Sequence, residues 1–566
     1  MFITAIPSSL ALVPGSLVRS RTRTPRCCAT SSTPAEKFIE RGLDTLEDAL
    51  LHFRRLSREG INVEDSLATW DDPNDPRPRL LVLGSGWAAH ALVKIIEADQ
   101  YRLLVVSPRN YFVFTPMLAA SAVGTVEYRS ITEPMRAANP TAGFIEGVCV
   151  DIDTTKRIAR VETALREDRR DATGVLGAED TQERCYALNY DRLVYAVGTQ
   201  SSDIGIPGVA SHCFFLKGLQ DARRFRQAVG DALERATQPS LTDDERRRIL
   251  TFLVVGGGAT GVELTGELCD FLRDAALARL YPQQALARVV LVHGGDELLP
   301  QFDADLRAKA LASLRARGVE VRLGARVVEV PTPRRVVIRR CIEEPSGAVE
   351  ECIEDEVSPI EEIACGMVVW AAGTGPVPLT ERLLAQLDGI SDEEKARGRV
   401  PVDAWLRAAG SGGRVLALGD CAVCGDGAGG ELPQTAQVAA QQGAFAARML
   451  NREYDLTHGC DPRGCAAPVS AAARGGDPAA WLRLRGAVDA RPFEFLNLGL
   501  LAFLGGGEAL SQLQLGDRRL LTEAGSVGFL LWRSVYIVKQ VSLRTRILVL
   551  FDVLKTTLFG RDVTRL

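Results

Sequence analysis

The sequence is poor in histidine, a common residue of metal centres and acid–base relays. Its 566 residues include only five histidines, which suits chemistry carried by a cofactor, and no metal site is expected. A basic excess is missing too. Lys and Arg total 67 against 72 Asp and Glu, a net charge of −5, which argues against a nucleic-acid partner. Beyond the N-terminal 35 residues, no run is apolar and uncharged over the roughly 18 residues that a membrane-spanning helix needs. The longest, FLNLGLLAFLGGG at 495–507, is short and glycine-rich. Thirteen cysteines follow no regular framework and read mostly as buried thiols. Acids are absent before Glu36, while arginines stand at 19, 21, 23 and 26 among many Ser and Thr. That composition fits a mitochondrial or chloroplast transit peptide; a secretory signal would put its positive charge ahead of the apolar run.

What is present begins with two glycine loops. LLVLGSGWAA, at 80–89, is an apolar strand followed by Gly84, Gly86 and, in third place, Ala89. FLVVGGGATGVE, at 252–263, has the full pattern of Gly256, Gly258 and Gly261. In such loops the first glycine makes a tight turn and the second admits a pyrophosphate. The third lets helix pack on strand, and the helix N-terminus faces the phosphates. Further strands follow each loop, RLLVVS at 102–107 and VVLVH at 289–293. Two units in one chain imply two nucleotides bound together, a flavin beside a nicotinamide. DRLVYAVG (191–198, ending in Gly198), GMVVWAAGTG (366–375, containing Gly373) and RVLALGDCA (414–422) read as buried strands ending in small residues. In the last of these, Asp420 beside Gly419 can accept hydrogen bonds from flavin ribityl hydroxyls. The flavin domain is therefore expected to be split around the nicotinamide domain.

At this point the chain resembles the type II NADH:quinone oxidoreductases, the alternative NAD(P)H dehydrogenases of organelles and bacteria. The likeness runs from Arg79 to Leu566. It rests on SPRNYFVFTPM (107–117), GTVEYRSI (124–131), the second glycine loop, LPQTAQVAAQQG (432–443), and the C-terminal WRSVYIVKQVSLRTR and FGRDVTR. The resemblance implies two doubly wound α/β dinucleotide domains and a C-terminal membrane-surface segment. It also implies FAD, with NADH or NADPH as donor, a membrane quinone as acceptor and no proton pumping. A homodimer is implied by resemblance only.

Candidate residues follow. FAD is expected to lie on Gly84, Gly86, Ala89, Ser107, Arg109, Gly198, Gly419, Asp420 and Ala436. NAD(P)H is expected on Gly256, Gly258, Gly261, Glu263, His293 and Gly373. Glu263 matches a family carboxylate near flavin and nicotinamide, and would position the dinucleotide and manage a proton; its plainer reading is a first-turn acid favoured by the helix dipole. Gln437 and Gln441 sit four apart on one helix face, with Pro433 just ahead, and resemble the family's quinone site. His293 takes the place where the family commonly has Glu, so NADPH should be accepted. It lies about 35 residues past Gly258 rather than the usual ~20, an excess that an inserted helical stretch near Arg273–Gln284 would explain.

From Leu531 onward seven basic residues, Arg533, Lys539, Arg544, Arg546, Lys555, Arg561 and Arg565, face only Asp552 and Asp562. Apolar residues at 547, 550, 551, 554 and 558 recur at helical spacing. This is the pattern of a helix lying on anionic lipid; docking on the protein's own core or on a second copy remains open. Cys421 and Cys424 form CAVC, but no cysteine pair follows the first glycine loop, so a working disulfide is not expected. Acidic residues 341–362 lack the alternating acids and central glycine of a calcium loop and read as a hairpin insert. Residues 456–490 read as a long surface loop or disordered insert.

The expected organisation is a transit peptide and extension (1–72), flavin domain (73–245 and 376–490), NAD(P)H domain (246–375) and membrane-association segment (491–566). The expected location is peripheral, on the mitochondrial inner membrane or the chloroplast thylakoid. Two other readings stay open. One is a reductase of a soluble acceptor of the monodehydroascorbate type, the other a non-catalytic flavoprotein that senses NADH.

Overall fold

The computed structural model describes residues 42, 44, 46, 69–97, 99–167, 180–340, 360–426, 430–457, 492–515, 518–562 and 564. The expected transit peptide (1–35), most of the acidic stretch 341–362 and nearly all of residues 456–490 lie outside these residues.

Two five-stranded parallel sheets form the centre. The first runs in the order Val415–Ala417, Arg192–Tyr195, Arg79–Leu83, Arg102–Ser107, Gly143–Glu146. The second runs Phe214–Phe215, Met367–Trp370, Thr251–Val255, Arg288–Val292, Glu320–Arg322. Their middle strands are runs of Leu and Val without alternation, and both faces are buried. Parallel strands covered by helices on both sides require that pattern. The split expected for the flavin domain is visible in the pairing. Val415–Ala417 returns after the whole second sheet to lie beside Arg192–Tyr195.

The helical stretch inferred between Arg273 and Gln284 exists, as helix Ala275–Leu280 and the short turn Pro282–Leu286. Val255 then pairs with Val292, so His293 is the first residue past the second strand of its unit. Strands Arg335–Arg340 and Ile360–Ala364 pair antiparallel and form the base of the hairpin expected around the acidic insert.

The C-terminal part opens with a three-stranded antiparallel sheet, Gly499–Gly505, Glu508–Leu515 and Arg518–Gly525. Helices Ser526–Val538 and Leu543–Phe559 follow. No helix among the described residues is long and apolar enough to cross a membrane. The last helix packs in an inverted sense. Thr545, Val549 and Asp552 are buried, while Leu543, Ile547, Leu550, Phe551, Leu554, Leu558 and Phe559 are exposed, Phe559 at 79%. Its apolar stripe therefore does not dock on the protein's own core. Asp552 accepts a hydrogen bond from the Glu127 amide at 3.0 Å, which holds the helix by its polar side.

Candidate functional site

The two glycine loops repeat one geometry. Gly84 and Gly256 hold φ of +116° and +121°, a region that disfavours side chains. A Cβ on either would strike a backbone carbonyl, Ala196 O at 2.3 Å or Ala371 O at 2.5 Å. Gly86 and Gly258 are the N-caps of helices Trp87–Ile95 and Ala259–Leu272, and neither helix has a side-chain cap. A Cβ on either would meet open space, so the exposed amides look into a place a ligand can fill. In third position Gly261 lets the helix approach the strand, since its Cβ would lie 1.9 Å from Gly256 O. Ala89 occupies that position in the first unit and is fully buried.

A cavity of about 670 Å³ opens from the first loop. Gly84, Gly86, Ser107, Arg109, Gly198, Gly419, Asp420 and Ala436 line it. Thr260 and Glu263, from the helix after the second loop, reach the same cavity. A single space is thus walled by both nucleotide units. Ser107 donates to Ser85 at 2.9 Å, closing the end of the second strand without an acid. Helix Ala436–Asn451 begins at the cavity, with Thr435 as its cap. It packs against helix Trp87–Ile95 where Gly443 comes so close that a Cβ would lie 2.1 Å from Ala88 O.

Glu263 is half-buried at the cavity wall. Desolvation raises its carboxyl to about 8; the Phe503 amide, donating at 3.3 Å, pulls the other way, and Glu267 one turn along pushes up again. Burial likewise lifts Glu267 to about 7, against the pull of Arg561 and a 2.8 Å hydrogen bond from Thr125. Arg561 lies 3.7 Å from Glu267, 3.6 Å from Asp274 and donates to Thr125 at 3.0 Å. The FGRD and GTVE stretches therefore meet at the helix that carries Glu263.

The other sequence-derived residues are less close together. Gln441 uses both amide atoms on the backbone of Leu496, at 2.9 and 3.0 Å. Gln437 accepts from the Leu498 amide at 3.4 Å through its oxygen. Both glutamines thus meet the entry to the C-terminal sheet. Pro433 borders a small neighbouring cleft with Gln434 and Thr435. His293 accepts from the Gly257 amide at 3.2 Å through Nδ1. Gly373 lies against Ile204, outside the cavity. Residues that the sequence did not flag also contribute. Lys217 Nζ lies 3.5 Å from Asp420 and donates to Thr199 at 3.0 Å. Gln442 accepts from the Gly419 amide at 2.7 Å, and Gln434 donates to Asp420 O at 2.8 Å. The two glutamines sit within LPQTAQVAAQQG and could have been suspected there; nothing local marks Lys217.

Residues 78–443 match the family model described as pyridine nucleotide-disulphide oxidoreductase, and residues 497–562 match that of the NDH2 C-terminal domain. The internal alternative NAD(P)H-ubiquinone oxidoreductase A1 of Solanum tuberosum, a mitochondrial protein, is 32% identical over 501 residues, covering 87% of this chain and 89% of its own. The chain belongs to the type II NADH dehydrogenases. A probable NADH dehydrogenase of Dictyostelium discoideum is also 32% identical, over 86% of this chain and 91% of its own. NDH2 from Plasmodium falciparum, solved in complex with NADH, superposes with a TM-score of 0.69 at 20% identity, covering 86% of this chain and all of that one, and so shares the fold. As a type II NADH dehydrogenase the chain is an FAD-dependent NAD(P)H oxidoreductase. The residues present fit that cofactor pair: two loops whose second glycine leaves room for phosphate, and a cavity lined by the first loop that Thr260 and Glu263 of the second unit reach, the glycines of the second loop lying outside it.

Proposed function

We propose that the protein oxidises NADH or NADPH and passes two electrons through FAD to a membrane quinone without pumping protons. The observation that carries this reading is the single cavity walled by the first glycine loop and by Thr260 and Glu263 of the second unit. Relatives named as NAD(P)H-ubiquinone oxidoreductases support quinone as the acceptor; the absence of pumping rests on the family. FAD, when bound, supplies the relay between nicotinamide and acceptor.

The chain's own residues do the rest in this reading. The free first-turn amides of helices Trp87–Ile95 and Ala259–Leu272, just past Gly86 and Gly258, hold the two pyrophosphates, while the Gly84, Gly256 and Gly257 amides are taken by Val106, Val292 and His293. Asp420, set by Lys217 and by the turn that Gln434 and Gln442 fix, takes ribityl hydroxyls, with Ser107, Arg109, Gly198 and Ala436 along the remaining wall. Glu263, neutral below about pH 8, holds a proton at the boundary of the two sites. Gln437 keeps its amide nitrogen for an acceptor carbonyl. Gln441, committed to Leu496, shapes that wall beside Pro433. Gly261 and Gly373 set backbone approaches in the nicotinamide unit.

The same reading divides the chain into a leader (1–72), flavin domain (73–245, 376–490), NAD(P)H domain (246–375) and membrane segment (491–566), with strand Phe214–Phe215 joining the NAD(P)H sheet from outside those bounds. The outward apolar stripe of helix Leu543–Phe559, with Arg544 and Lys539 exposed nearby, supports peripheral seating on anionic lipid. Relatives named as mitochondrial favour the mitochondrion over the chloroplast as the organelle.

The test uses purified protein, NADH or NADPH and a short-chain quinone. Bound flavin should bleach on adding dinucleotide and recover on adding quinone. Bleaching without recovery favours another acceptor. No bleaching of a flavin-loaded protein overturns the reading.

A further inference from the structure

We propose that Arg326 reads the 2′-phosphate of NADPH. This rests on the NAD(P)H reading of the second unit and names the residue that would set its preference. In a dinucleotide fold the adenosine ribose lies over the end of the second strand, where an acid takes the 2′-hydroxyl or an arginine nearby takes a 2′-phosphate. Here that strand is Arg288–Val292, and no acid follows it directly. His293 comes next, but its ring serves the backbone. Nδ1 accepts from Gly257, and the ring also hydrogen-bonds the Glu297 backbone. Burial lowers its pKa, so it is a neutral strut rather than a cation.

Gly294 and Gly295 then leave a gap in side chains. A neighbouring strand fills it. Arg326, second residue of Ala325–Thr332, lies over Gly294, where a Cβ would stand 3.0 Å from Arg326 Cγ and 3.7 Å from Nε. The backbone leading into Arg326 is tied to this turn. Ala325 donates to His293 O at 2.9 Å and Gly324 to Gly295 O at 3.0 Å. Neighbouring arginines are committed. Arg322 pairs with Glu320 and Glu361, Arg340 with Glu361, and Arg307 with Glu297. Arg326 is exposed and has no ion pair among the described residues. The acids of the adjoining turn are Glu297, held by Arg307, and the exposed Asp296. An uncommitted guanidinium beside the ribose position is matched to a phosphate dianion by charge and by its planar donor fork. The strand end itself offers a ribose hydroxyl no carboxylate, since Asp296 stands four residues past Val292.

The experiment compares flavin-loaded wild type, Arg326→Ala and Arg326→Lys. Calorimetry measures binding of 2′-phospho-ADP-ribose and of ADP-ribose; steady-state assays measure KM for NADPH and NADH. For Arg326→Ala, a tenfold or greater loss of 2′-phospho-ADP-ribose affinity and a matching rise in KM for NADPH are expected. NADH and ADP-ribose should change less than twofold, and Arg326→Lys should recover part of the loss. Equal effects on both dinucleotides, or none on either, overturn the assignment. If the protein oxidises neither dinucleotide, the functional reading fails, while the difference between the two ADP-ribose ligands still judges Arg326.

Discussion

Glu263 shows how one side chain links burial to chemistry. Its carboxyl is lifted from an ordinary 4.5 to about 8. A folded-state pKa raised in this way favours the protonated form, so the fold loses stability as pH climbs from about 4.5 through 8. Glu263→Gln removes that loss. The variant should melt higher than wild type at pH 8 and show little difference at pH 5, by thermal unfolding of flavin-loaded protein. The same substitution tests the proton role. Wild-type quinone turnover should fall as pH rises through about 8, and the fall should be missing in Glu263→Gln. A wild-type profile in the variant removes Glu263 from proton handling. The sequence placed this acid in the first turn of a helix; the helix is there, but it starts at Ala259 and Glu263 is its fifth residue, past the first turn. Its raised pKa was not legible, because that depends on Phe503 and on the desolvating walls around it, all distant in the chain.

Packed elements respond to different changes. Helices Trp87–Ile95 and Ala436–Asn451 approach at Gly443, where a side chain would meet Ala88 O. Gly443→Ala should cost about 1–3 kcal/mol, typical of overpacking, and lower the flavin content of the purified protein. Retained flavin and an unchanged melting temperature would show that the helices yield easily. The last helix is governed by solvent. Its apolar positions were readable from helical spacing, but the direction they face was not, since amphipathic periodicity alone is silent on which side meets the protein. Thr545 and Asp552 turned inward decide it. Phe551→Glu with Leu554→Glu should weaken binding to anionic vesicles at least a hundredfold, each large apolar side chain contributing roughly 1.5–3 kcal/mol on burial. Turnover with a short-chain quinone should persist. Unaltered vesicle binding together with a change in oligomeric state would point instead to a second copy covering the stripe.

Across the whole molecule, the C-terminal segment is tied back to the nicotinamide unit through Arg561. Glu267 and Asp274 on one side, and Thr125 on the other, converge on its guanidinium. Removing one partner of such an enclosed pair strands the other. Arg561→Gln should therefore destabilise by about 1–3 kcal/mol in denaturant titration, less at pH 6 than at pH 8, because protonation of Glu267 relieves the loss. An equal effect at both pH values would mean that Glu267 is not the partner that matters. Long-range ties of this kind explain what the sequence concealed. Glycine loops and buried strands are written in a dozen adjacent residues, so both sheets and most of the cavity lining could be located in advance. Arg561 with Glu267, and Lys217 with Asp420, join residues whose spacing carries no periodic signal.

The pairing of Val415–Ala417 with Arg192–Tyr195 also has a temporal side. A chain emerging from the ribosome, or threading through an import pore, exposes an unfinished sheet edge until more than two hundred further residues have followed. The intervening nicotinamide unit has all five strands of its own sheet before that edge is closed. Loop-closure entropy makes such distant pairing slow, so the inserted unit should acquire protection first, and the larger host should remain open to chaperones until its last strand arrives.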